Sequence, residues 1–397
     1  MKIAFVTEYI APRHKPYFGG VDSRTLNLAR HLIKDNDVHI VTSLLEGTEK
    51  EENYDGITIH RIGDVRKFTQ RGDFIKRLKF NSDIVSEISK LEPDIVDASG
   101  FVAYDGGFKA AKKINVPAIV TVHEVWQGDW VQNMGLINGF IGHFLEKNYL
   151  KYKFDGYVAV SDFTKQKLMY KMGIDSEKIE VVRNGIDLEL YNSTIVDKKY
   201  DDPTVVTVSR LVPYKRIDDL IKALKILKRD IPNIRLKIIG VGPQEILLKN
   251  LSRQLGLEKN IDFLGKVNKT EDMIKILKQS HVFVLSSITE GFGMVVIEAM
   301  ASGIPYVVSD IPPIRETTNG VGGLYFEPKN FKDLANNIRR ILTDDLLQKC
   351  LTRNVKNYVS QFEWDIISDK ANSFYETLNN HNHNNNHNNN HNNNHDH

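Results

Sequence analysis

The chain has 397 residues, a length that predicts two domains of ordinary size. Apolar residues make up 41% and charged residues 26% of the sequence, and the formal net charge is +2, so the composition is that of a globular protein and gives no general affinity for nucleic acid. Cys350 is the single cysteine, which excludes a disulfide framework and a cysteine-based metal site.

The N-terminal segment does not have the pattern of a signal peptide, because the apolar run Ile3–Val6 is followed at once by Thr7 and Glu8. No apolar stretch approaches the ~18 residues that a membrane-spanning helix needs. We therefore expect a cytoplasmic protein, and peripheral contact at the inner membrane face is left open.

The first half of the chain alternates short apolar runs with amphipathic segments. Such runs, apolar at nearly every position, are typical of parallel strands in a sheet that helices cover on both faces. This pattern predicts a first doubly wound domain. Its predicted strands are Ile3–Val6, Val38–Val41, Ile57–Arg61, Ile95–Asp97, Ala118–Val122 and Tyr157–Val160, and its predicted helices include Val21–Ile33, Phe74–Leu91 and Gly106–Ile114.

Three features of this half are candidates for function. Gly19 and Gly20 precede the first long helix, where paired glycines either let the backbone approach a ligand or form a plain turn. The segment Arg66–Phe80 is basic with interleaved apolar residues, which suits an anionic membrane surface or a helix packed on its own sheet. His123 directly follows a predicted strand, where its imidazole serves either a ligand hydroxyl or a structural hydrogen bond.

The second half repeats the scheme after a polar, irregular linker at Leu188–Pro203, and predicts a second doubly wound domain. In open sheets of this type, ligands bind at the carboxyl ends of the strands, so the loops that follow strands are the candidate sites. The predicted strands are Thr204–Ser209, Leu236–Ile239, Ile261–Leu264, His281–Leu285, Pro305–Val308 and Gly323–Phe326, and the helices include Ile217–Arg229 and Gln244–Leu255.

A basic loop follows the first strand of this second domain and contains Arg210 and Lys215. Arginine binds phosphate oxygens bidentately and lysine acts as a point charge, so the two suit a diphosphate and would stabilise a departing nucleoside diphosphate. A solvated basic loop is the alternative. The later Gly240-Val241-Gly242-Pro243 lacks the third glycine of a dinucleotide fingerprint, because Glu245 stands there, and a nicotinamide enzyme is disfavoured.

The most informative motif is Glu290-Gly291-Phe292-Gly293-Met294, which is followed by Glu298. A glycine turn here opens a helix at the end of an apolar strand, and the free N–H groups of such a helix end bind anions, phosphate above all. Carboxylates on either side of a phosphate site suit the hydroxyl groups of a nucleotide-sugar. Two glutamates eight residues apart also fit a solvated helix face.

The chain closes with a predicted helix at Phe362–Leu378 and a tail at Asn379–His397. The tail consists almost wholly of asparagine and histidine and cannot build a core, so we expect it to be disordered. Histidines at every fourth position from His383 to His395 leave open a transition-metal site on one helix face.

Taken together, these motifs resemble the retaining glycosyltransferases of GT-B fold that form family four. The resemblance covers nearly all of residues 1–378. It implies two doubly wound Rossmann-like α/β domains that face each other across a cleft, an acceptor-side domain at 1–195, a nucleotide-sugar domain at 200–361 and a helix at 362–378 that returns to the first domain. The motifs that carry it are Gly19-Gly20, His123, Val158-Ala159-Val160-Ser161, Asn184-Gly185-Ile186-Asp187, Ser209-Arg210 with Lys215, Glu290 with Glu298, and Phe362-Glu363-Trp364.

The resemblance also implies a role for each motif residue. Arg210 and Lys215 would hold the donor pyrophosphate, Glu290 would accept hydrogen bonds from the donor sugar, and Glu298 would accept them from the ribose. The predicted catalytic residues are Glu290 and His123, which would contact the donor sugar near the reacting centre. Further predicted donor contacts are the backbone of Gly20, Phe292, Gly293, Met294 and Val295.

We therefore expect a retaining hexosyltransferase that uses a UDP- or GDP-sugar and a glycan, glycolipid or lipid-linked acceptor. Neither a metal nor a cofactor is expected, because arginine, lysine and the helix end supply the positive field. A nucleotide-sugar epimerase of the same fold would need no acceptor, a phosphorylase would need pyridoxal phosphate, and a regulator without turnover would tend to lose some of these motif residues.

Overall fold

A computed structural model describes residues 1–13, 15, 17–68, 74–131 and 135–392. Residues 69–73 of the Arg66–Phe80 segment and residues 393–397 of the tail therefore lie outside the described residues.

The chain forms two compact units. One comprises Met1–Gly185 with Trp364–His397, and the other comprises Ile186–Glu363. The division falls after residue 185 rather than near residue 195, because the segment that we assigned to a linker begins with a helix, Leu188–Ser193, that packs in the second unit. The Lys278 ammonium group fixes the end of this helix by donating to the carbonyl oxygens of Tyr191 and Thr194, at 2.6 and 2.8 Å.

The first unit is built on an eight-stranded sheet in the order β3-β4-β2-β1-β5-β6-β7-β8. Neighbouring strands are parallel except β3, which pairs antiparallel with β4. The strand order reverses between β1 and β5. The strands are β1 (Lys2–Thr7), β2 (Asp37–Leu45), β3 (Glu51–Tyr54), β4 (Ile57–Arg66), β5 (Ile95–Ser99), β6 (Ala118–Val122), β7 (Gly156–Ala159) and β8 (Ile179–Val181).

Helices cover this sheet on both faces, as the alternating contacts of β1 show. Ile3 and Phe5 belong to one apolar cluster with the first helix and the C-terminal helix, whereas Ala4 and Val6 belong to a second cluster with side chains of four other helices. Burial on both faces explains why β1 is apolar at successive positions. The helices of this unit are Gly20–Leu32, Phe74–Leu91, Tyr104–Ile114, Leu136–Leu150, Asp162–Met172 and Trp364–Asn392, with a 3₁₀ turn at Ser176–Lys178.

The second unit is built on a six-stranded parallel sheet in the order β11-β10-β9-β12-β13-β14. The chain first adds strands on one side of β9 and then on the other, so the topological switch point lies between β9 and β12. Ligands of doubly wound sheets bind at such a point. The strands are β9 (Thr204–Val208), β10 (Arg235–Ile239), β11 (Ile261–Gly265), β12 (Val282–Leu285), β13 (Tyr306–Ser309) and β14 (Gly323–Phe326).

Helices connect most of these strands, and the helix Met294–Ala301 packs against β12 and β13. The remaining helices of the unit are Leu188–Ser193, Ile217–Leu227, Glu245–Gln254, Thr270–Gln279, Pro312–Thr318, Phe331–Thr343, Asp345–Thr352 and Val355–Val359, with 3₁₀ turns at Pro213–Lys215 and Ser360–Phe362.

The C-terminal helix packs on the first unit through a row of buried side chains. Trp364, Ala371 and Tyr375 belong to the same apolar cluster as Phe5 of β1. The indole of Trp364 lies so close to Gly185 that any side chain at that position would overlap it.

The same helix corrects our expectation for the tail. Helical backbone continues to Asn392, so residues 379–392 are helical where we expected disorder. A helix that packing has already nucleated extends at low cost, because each added residue gains one backbone hydrogen bond. Asn382 adds a contact by donating its side-chain amide to the carbonyl oxygen of Asn115 at 3.1 Å.

In the described part of the chain, none of the helices combines the length and the apolar character needed to cross a bilayer.

Candidate active site

Two loops meet at the switch point of the second unit. Arg210 and Lys215 lie in the loop that follows β9, and Glu290 lies in the loop that follows β12. Because β9 and β12 are neighbours and parallel, both loops leave the same edge of the sheet side by side.

Hydrogen bonds to backbone carbonyl oxygens hold these two loops together. The hydroxyl group of Ser286, just after β12, donates to the carbonyl oxygens of Lys215 and Arg216 at 2.8 and 3.0 Å. The N–H of Ile288 donates to the carbonyl oxygen of Tyr214 at 2.9 Å. The 3₁₀ turn that carries Lys215 is therefore held at a fixed distance from the Glu290 loop.

Lys215 and Glu290 form an ion pair, with 2.5 Å between Nζ and Oε1. Their side chains are only 12% and 11% exposed, so water screens the pair much less than it screens a surface pair. A cation and a carboxylate that are 75 residues apart in the sequence thus form one charged centre at the switch point.

Arg210 lies at the surface of the same loop, and its Nη2 donates to the hydroxyl group of Tyr214 at 2.5 Å. The neighbouring Arg216 differs, because its guanidinium is bound to Asp219 through two hydrogen bonds of 2.8 and 2.9 Å at the start of the next helix. Arg210 is therefore the arginine of this loop whose guanidinium keeps donors for a ligand.

The turn from Glu290 into the helix Met294–Ala301 requires glycine at residue 293. Gly293 has φ of 86° and ψ of 46°, in the left-handed region, and a Cβ there would overlap Ile314. Phe292 fixes the turn on the core of the unit. Its ring is buried against Phe362, and its carbonyl oxygen accepts from Thr317 Oγ1.

The first turn of this helix keeps its backbone donors free of side-chain caps. Gly293 occupies the N-cap position. In the described structure, no side chain accepts from the first N–H groups of the helix, which are those of Met294 and Val295. Such uncapped donors at the positive end of a helix attract anions.

Glu298 lies one turn further along the helix. Burial raises the pKa of its carboxyl group to about 7. Among the residues that the structure describes, none forms a hydrogen bond or ion pair with this carboxylate, and the nearby Tyr191 is a phenol whose own pKa is raised by burial and by Glu298. The Glu298 carboxylate is therefore able to accept hydrogen bonds from a ligand.

Three buried hydroxyl groups line the same edge of the sheet. Ser209 follows β9, Ser287 lies two residues after β12, and Ser309 ends β13. The hydroxyl oxygen of each is buried without a hydrogen-bond partner among the described residues. Buried polar groups ordinarily have partners, so this edge has the capacity to bind a polar ligand or ordered water.

The structure also assigns a role to glycines that the sequence flagged only weakly. Gly240 and Gly242 lie beside the Arg210 loop, where a Cβ would overlap the carbonyl oxygens of Ser209 and Leu211 respectively. Their loop and the Arg210 loop share two backbone hydrogen bonds, from Leu211 N–H to Val241 and from Gln244 N–H to Leu211. The paired glycines thus let the two loops lie against each other.

In the first unit, Gly20 begins the first long helix and is exposed, and a Cβ there would meet nothing within 4 Å. The carboxylate of Asp22 accepts from the N–H groups of Phe18 and Gly19 at 2.6 and 2.7 Å, which fixes the approach of the chain to the helix. Burial raises the pKa of Asp22 to about 6 against the effect of these backbone donors.

His123 follows β6, and its Nε2 shares a hydrogen bond of 3.0 Å with the hydroxyl group of Ser99 at the end of β5. Burial, and to a smaller degree the charge of Arg24, lowers the pKa of His123 to about 3. The imidazole is therefore neutral at ordinary pH, with one ring nitrogen that donates and one that accepts.

A buried polar network lies near this histidine and includes Arg24, whose charge acts on it. Arg24 donates to the carbonyl oxygens of Val182 and Arg183 and to the side chain of Asn184, at 2.7–3.0 Å. Nearby, the Asp97 carboxylate accepts from the hydroxyl groups of Thr121 and Tyr375. This network was not predictable from local sequence patterns, because its members lie on five different segments.

Two family models match consecutive parts of the chain. The model described as Glycosyltransferase Family 4 matches residues 18–190, and the model described as Glycosyl transferases group 1 matches residues 192–358. The chain belongs to glycosyltransferase family 4.

Relatives of this glycosyltransferase include an uncharacterized glycosyltransferase, MJ1607, of Methanocaldococcus jannaschii, which is 26% identical and aligns over 95% of this chain and 98% of its own. Similar solved structures include the sucrose-phosphate synthase of Thermosynechococcus elongatus, with a TM-score of 0.82, 20% identity and coverage of 95% and 98%. Another is Anabaena Alr3699/HepE in complex with UDP and glucose, with a TM-score of 0.74, 20% identity and coverage of 95% and 100%. These likenesses confirm the predicted fold of two Rossmann-like α/β domains.

Within the glycosyltransferase, the predicted donor residues of the second unit lie together. Arg210, Lys215, Glu290 and the start of the helix Met294–Ala301 share the switch-point edge of one sheet. Gly20 and His123 lie in the first unit, after β1 and β6. Among the described residues of the basic segment Arg66–Phe80, Arg66 and Phe80 are buried, and the exposed residues are Lys67, Phe68, Lys76, Leu78 and Lys79.

Proposed function

We propose that this glycosyltransferase moves a hexose-type sugar from a UDP- or GDP-sugar to a glycan, glycolipid or lipid-linked acceptor, with retention of anomeric configuration and without a metal. The observation that carries the proposal is the Lys215–Glu290 ion pair beside the uncapped start of the helix Met294–Ala301. This centre joins a cation for phosphate, a carboxylate for hydroxyl groups and a set of free backbone donors.

The positive groups act on the leaving diphosphate. When the bond between the anomeric carbon and the β-phosphate oxygen breaks, the electron pair goes to that oxygen. Lys215, Arg210 and the N–H groups at the helix start then stabilise the developing charge. In a front-face substitution, the acceptor oxygen bonds to the anomeric carbon on the side that the phosphate leaves, and the acceptor proton passes to the departing phosphate.

The polar acceptors orient the two sugars. Glu290 accepts from hydroxyl groups of the hexose while its other contact, Lys215, faces the phosphate. Glu298, whose carboxylate has no partner among the described residues, accepts from the ribose. His123 contacts the hexose as a neutral imidazole, because its pKa of about 3 prevents it from acting as a cation near the reacting carbon.

The choice of UDP as the nucleotide of the donor is supported by a protein of the same fold. Anabaena Alr3699/HepE is described in complexes with UDP and with UDP-glucose, which favours UDP as the nucleotide here. A glycan acceptor is supported by the capsular polysaccharide glycosyltransferase CapM of Staphylococcus aureus, which is 26% identical over 87% of this chain and 91% of its own.

Two arginines of the segment Arg66–Phe80 are held by contacts within the first unit. Arg66 is buried between the rings of Tyr9 and Phe80, and its guanidinium contacts Glu8. Arg77 is also bound to Glu8, at 2.8 Å. The described lysines of the segment are exposed, so we propose a cytoplasmic enzyme for which peripheral membrane contact through this segment stays a prediction.

Acceptor-dependent transfer tests this proposal. The full chain is incubated with UDP- and GDP-hexoses and a panel of glycan and lipid-linked acceptors, and release of the nucleoside diphosphate is followed with and without acceptor. We expect release that depends on acceptor and an α-anomeric product from an α-linked donor. Conversion of the donor sugar without any acceptor would instead indicate an epimerase, and an inverted product would contradict retention.

A further inference from the structure

The helix Leu136–Leu150 has apolar side chains on the side that faces solvent. Leu136, Phe140 and Phe144 are 69%, 66% and 66% exposed, and Ile141 beside them is also exposed. Scattered exposed apolar residues are ordinary, but four on one surface of one helix form a patch of the kind that marks an interaction site.

The inner face of this helix is fixed by close packing. Gly139 lies against the backbone of Val131, where an added Cβ would come within 2.5 Å of Cα, and a Cβ at Gly142 would overlap the indole of Trp130. On the same face, the Glu146 carboxylate accepts from Trp126 N–H and Trp130 Nε1–H, both at 2.8 Å. The helix cannot turn its apolar patch inward without breaking these contacts.

Lysines continue the exposed face toward the end of the helix. At 3.6 residues per turn, Lys147 and Lys151 align with the apolar residues in a row, which we call the outer stripe: Leu136, Phe140, Phe144, Lys147 and Lys151. Both lysines are exposed, and neither forms an ion pair with any described residue. The helix's one acidic residue, Glu146, is buried on the opposite face.

We propose that the outer stripe docks the first unit on an anionic lipid bilayer. Its apolar half suits the boundary between headgroups and acyl chains, and its lysines suit anionic headgroups at the same level. A second copy of the chain fits the stripe less well, because the helix offers no exposed carboxylate to pair with the lysines of a partner helix. This docking is independent of the donor site in the second unit.

Vesicle co-sedimentation of the full chain tests the proposal. We expect the protein to bind phosphatidylcholine vesicles that contain phosphatidylglycerol, to bind pure phosphatidylcholine weakly, and to dissociate at high salt. F140S/F144S and K147E/K151E should each weaken binding about tenfold or more, because they remove insertion and headgroup attraction respectively.

The matched control is I246S/L247S, which removes two exposed apolar side chains of the second unit and should leave vesicle binding unchanged. Melting temperatures show whether each variant is folded. Equal binding by wild type and F140S/F144S, or no wild-type binding to anionic vesicles, overturns the proposal. So does a wild-type dimer in sedimentation velocity that F140S/F144S converts to monomer, since the stripe would then join two copies.

Discussion

Replacing Lys215 by alanine removes the cation of the switch-point pair. In the proposed reaction this ammonium group contacts the β-phosphate as charge develops there, and losing one such preorganised donor costs ~2.7–4 kcal/mol, or ~10²–10³ in kcat. The cost to folding is smaller. Glu290, whose side chain is only 11% exposed in the wild type, loses a partner at 2.5 Å, which costs ~1–3 kcal/mol and lowers the melting temperature by about 2–10 °C.

Steady-state transfer and calorimetric titration of the nucleoside diphosphate measure both parts of this prediction. The matched control is Lys237→Ala on β10, which removes a lysine of similar exposure, 18%, whose partner Asp262 lies 3.1 Å away and is also bound by Arg235. The control should keep full transfer and full nucleotide affinity. Undiminished transfer by folded Lys215→Ala protein would refute the phosphate role, and equal losses in both variants would indicate a non-specific effect of charge.

Four further predictions concern Glu290, Glu298, Gly20 and the C-terminal tail. Glu290→Gln should slow transfer about tenfold or more and should tighten the binding of UDP alone, because Glu290 and phosphate compete for Lys215. Weaker binding of UDP to this variant in calorimetry would contradict this competition. Burial raises the pKa of Glu298 from its usual 4.5 to about 7, so its contribution to stability is complete below pH 4.5 and is lost as pH rises through 7. Denaturant titrations at pH 8 should therefore show Glu298→Gln to be more stable than wild type by ~1–3 kcal/mol, and the variant should bind the nucleotide more weakly. A stability difference that does not depend on pH would exclude this cause. Gly20→Ala should leave the melting temperature unchanged, because its Cβ would meet no atom within 4 Å, yet lower kcat; full activity would show that no ligand needs the exposed backbone there. Deletion of 379–397 should not reduce transfer, and a loss of activity would give the tail a role in the enzyme.

The elements with continuous apolar runs were predictable from the sequence. β9, β12 and β13 are buried on both faces, and their apolar residues leave no choice between strand and loop. β3 was missed because its four residues, Glu51–Tyr54, are largely polar and pair only at the edge of the sheet. No local pattern distinguishes such a strand from a turn.

The helices that escaped prediction lack the usual apolar stripe. Leu136–Leu150 is apolar on both sides, with glycines on its inner face, so its sequence has no helical period to detect. Leu188–Ser193 is short and lies in a polar segment; its start is fixed by the side chain of Asp187, which accepts from Leu190 N–H at 3.0 Å. In both cases tertiary contacts rather than local periodicity select the helix.

The candidate site was predictable where local chemistry suffices. Arg210, Lys215 and Glu290 are charged residues in loops after apolar strands, so the sequence places them at one edge of the sheet. The direct pairing of Lys215 with Glu290 was not predictable, because it depends on the hydrogen bonds of Ser286. Residue 240 must likewise be glycine because the Ser209 carbonyl oxygen lies beside it, a contact that no sequence spacing shows.

Isothermal titration calorimetry of the full chain against UDP-, GDP- and ADP-linked hexoses tests the central claim most directly. The account predicts that at least one of these donors binds to wild type, with UDP-sugars the favoured class, and that the same donor loses most of its affinity for Lys215→Ala but not for Lys237→Ala. Absence of binding by every nucleotide-sugar to the folded wild-type protein would contradict it.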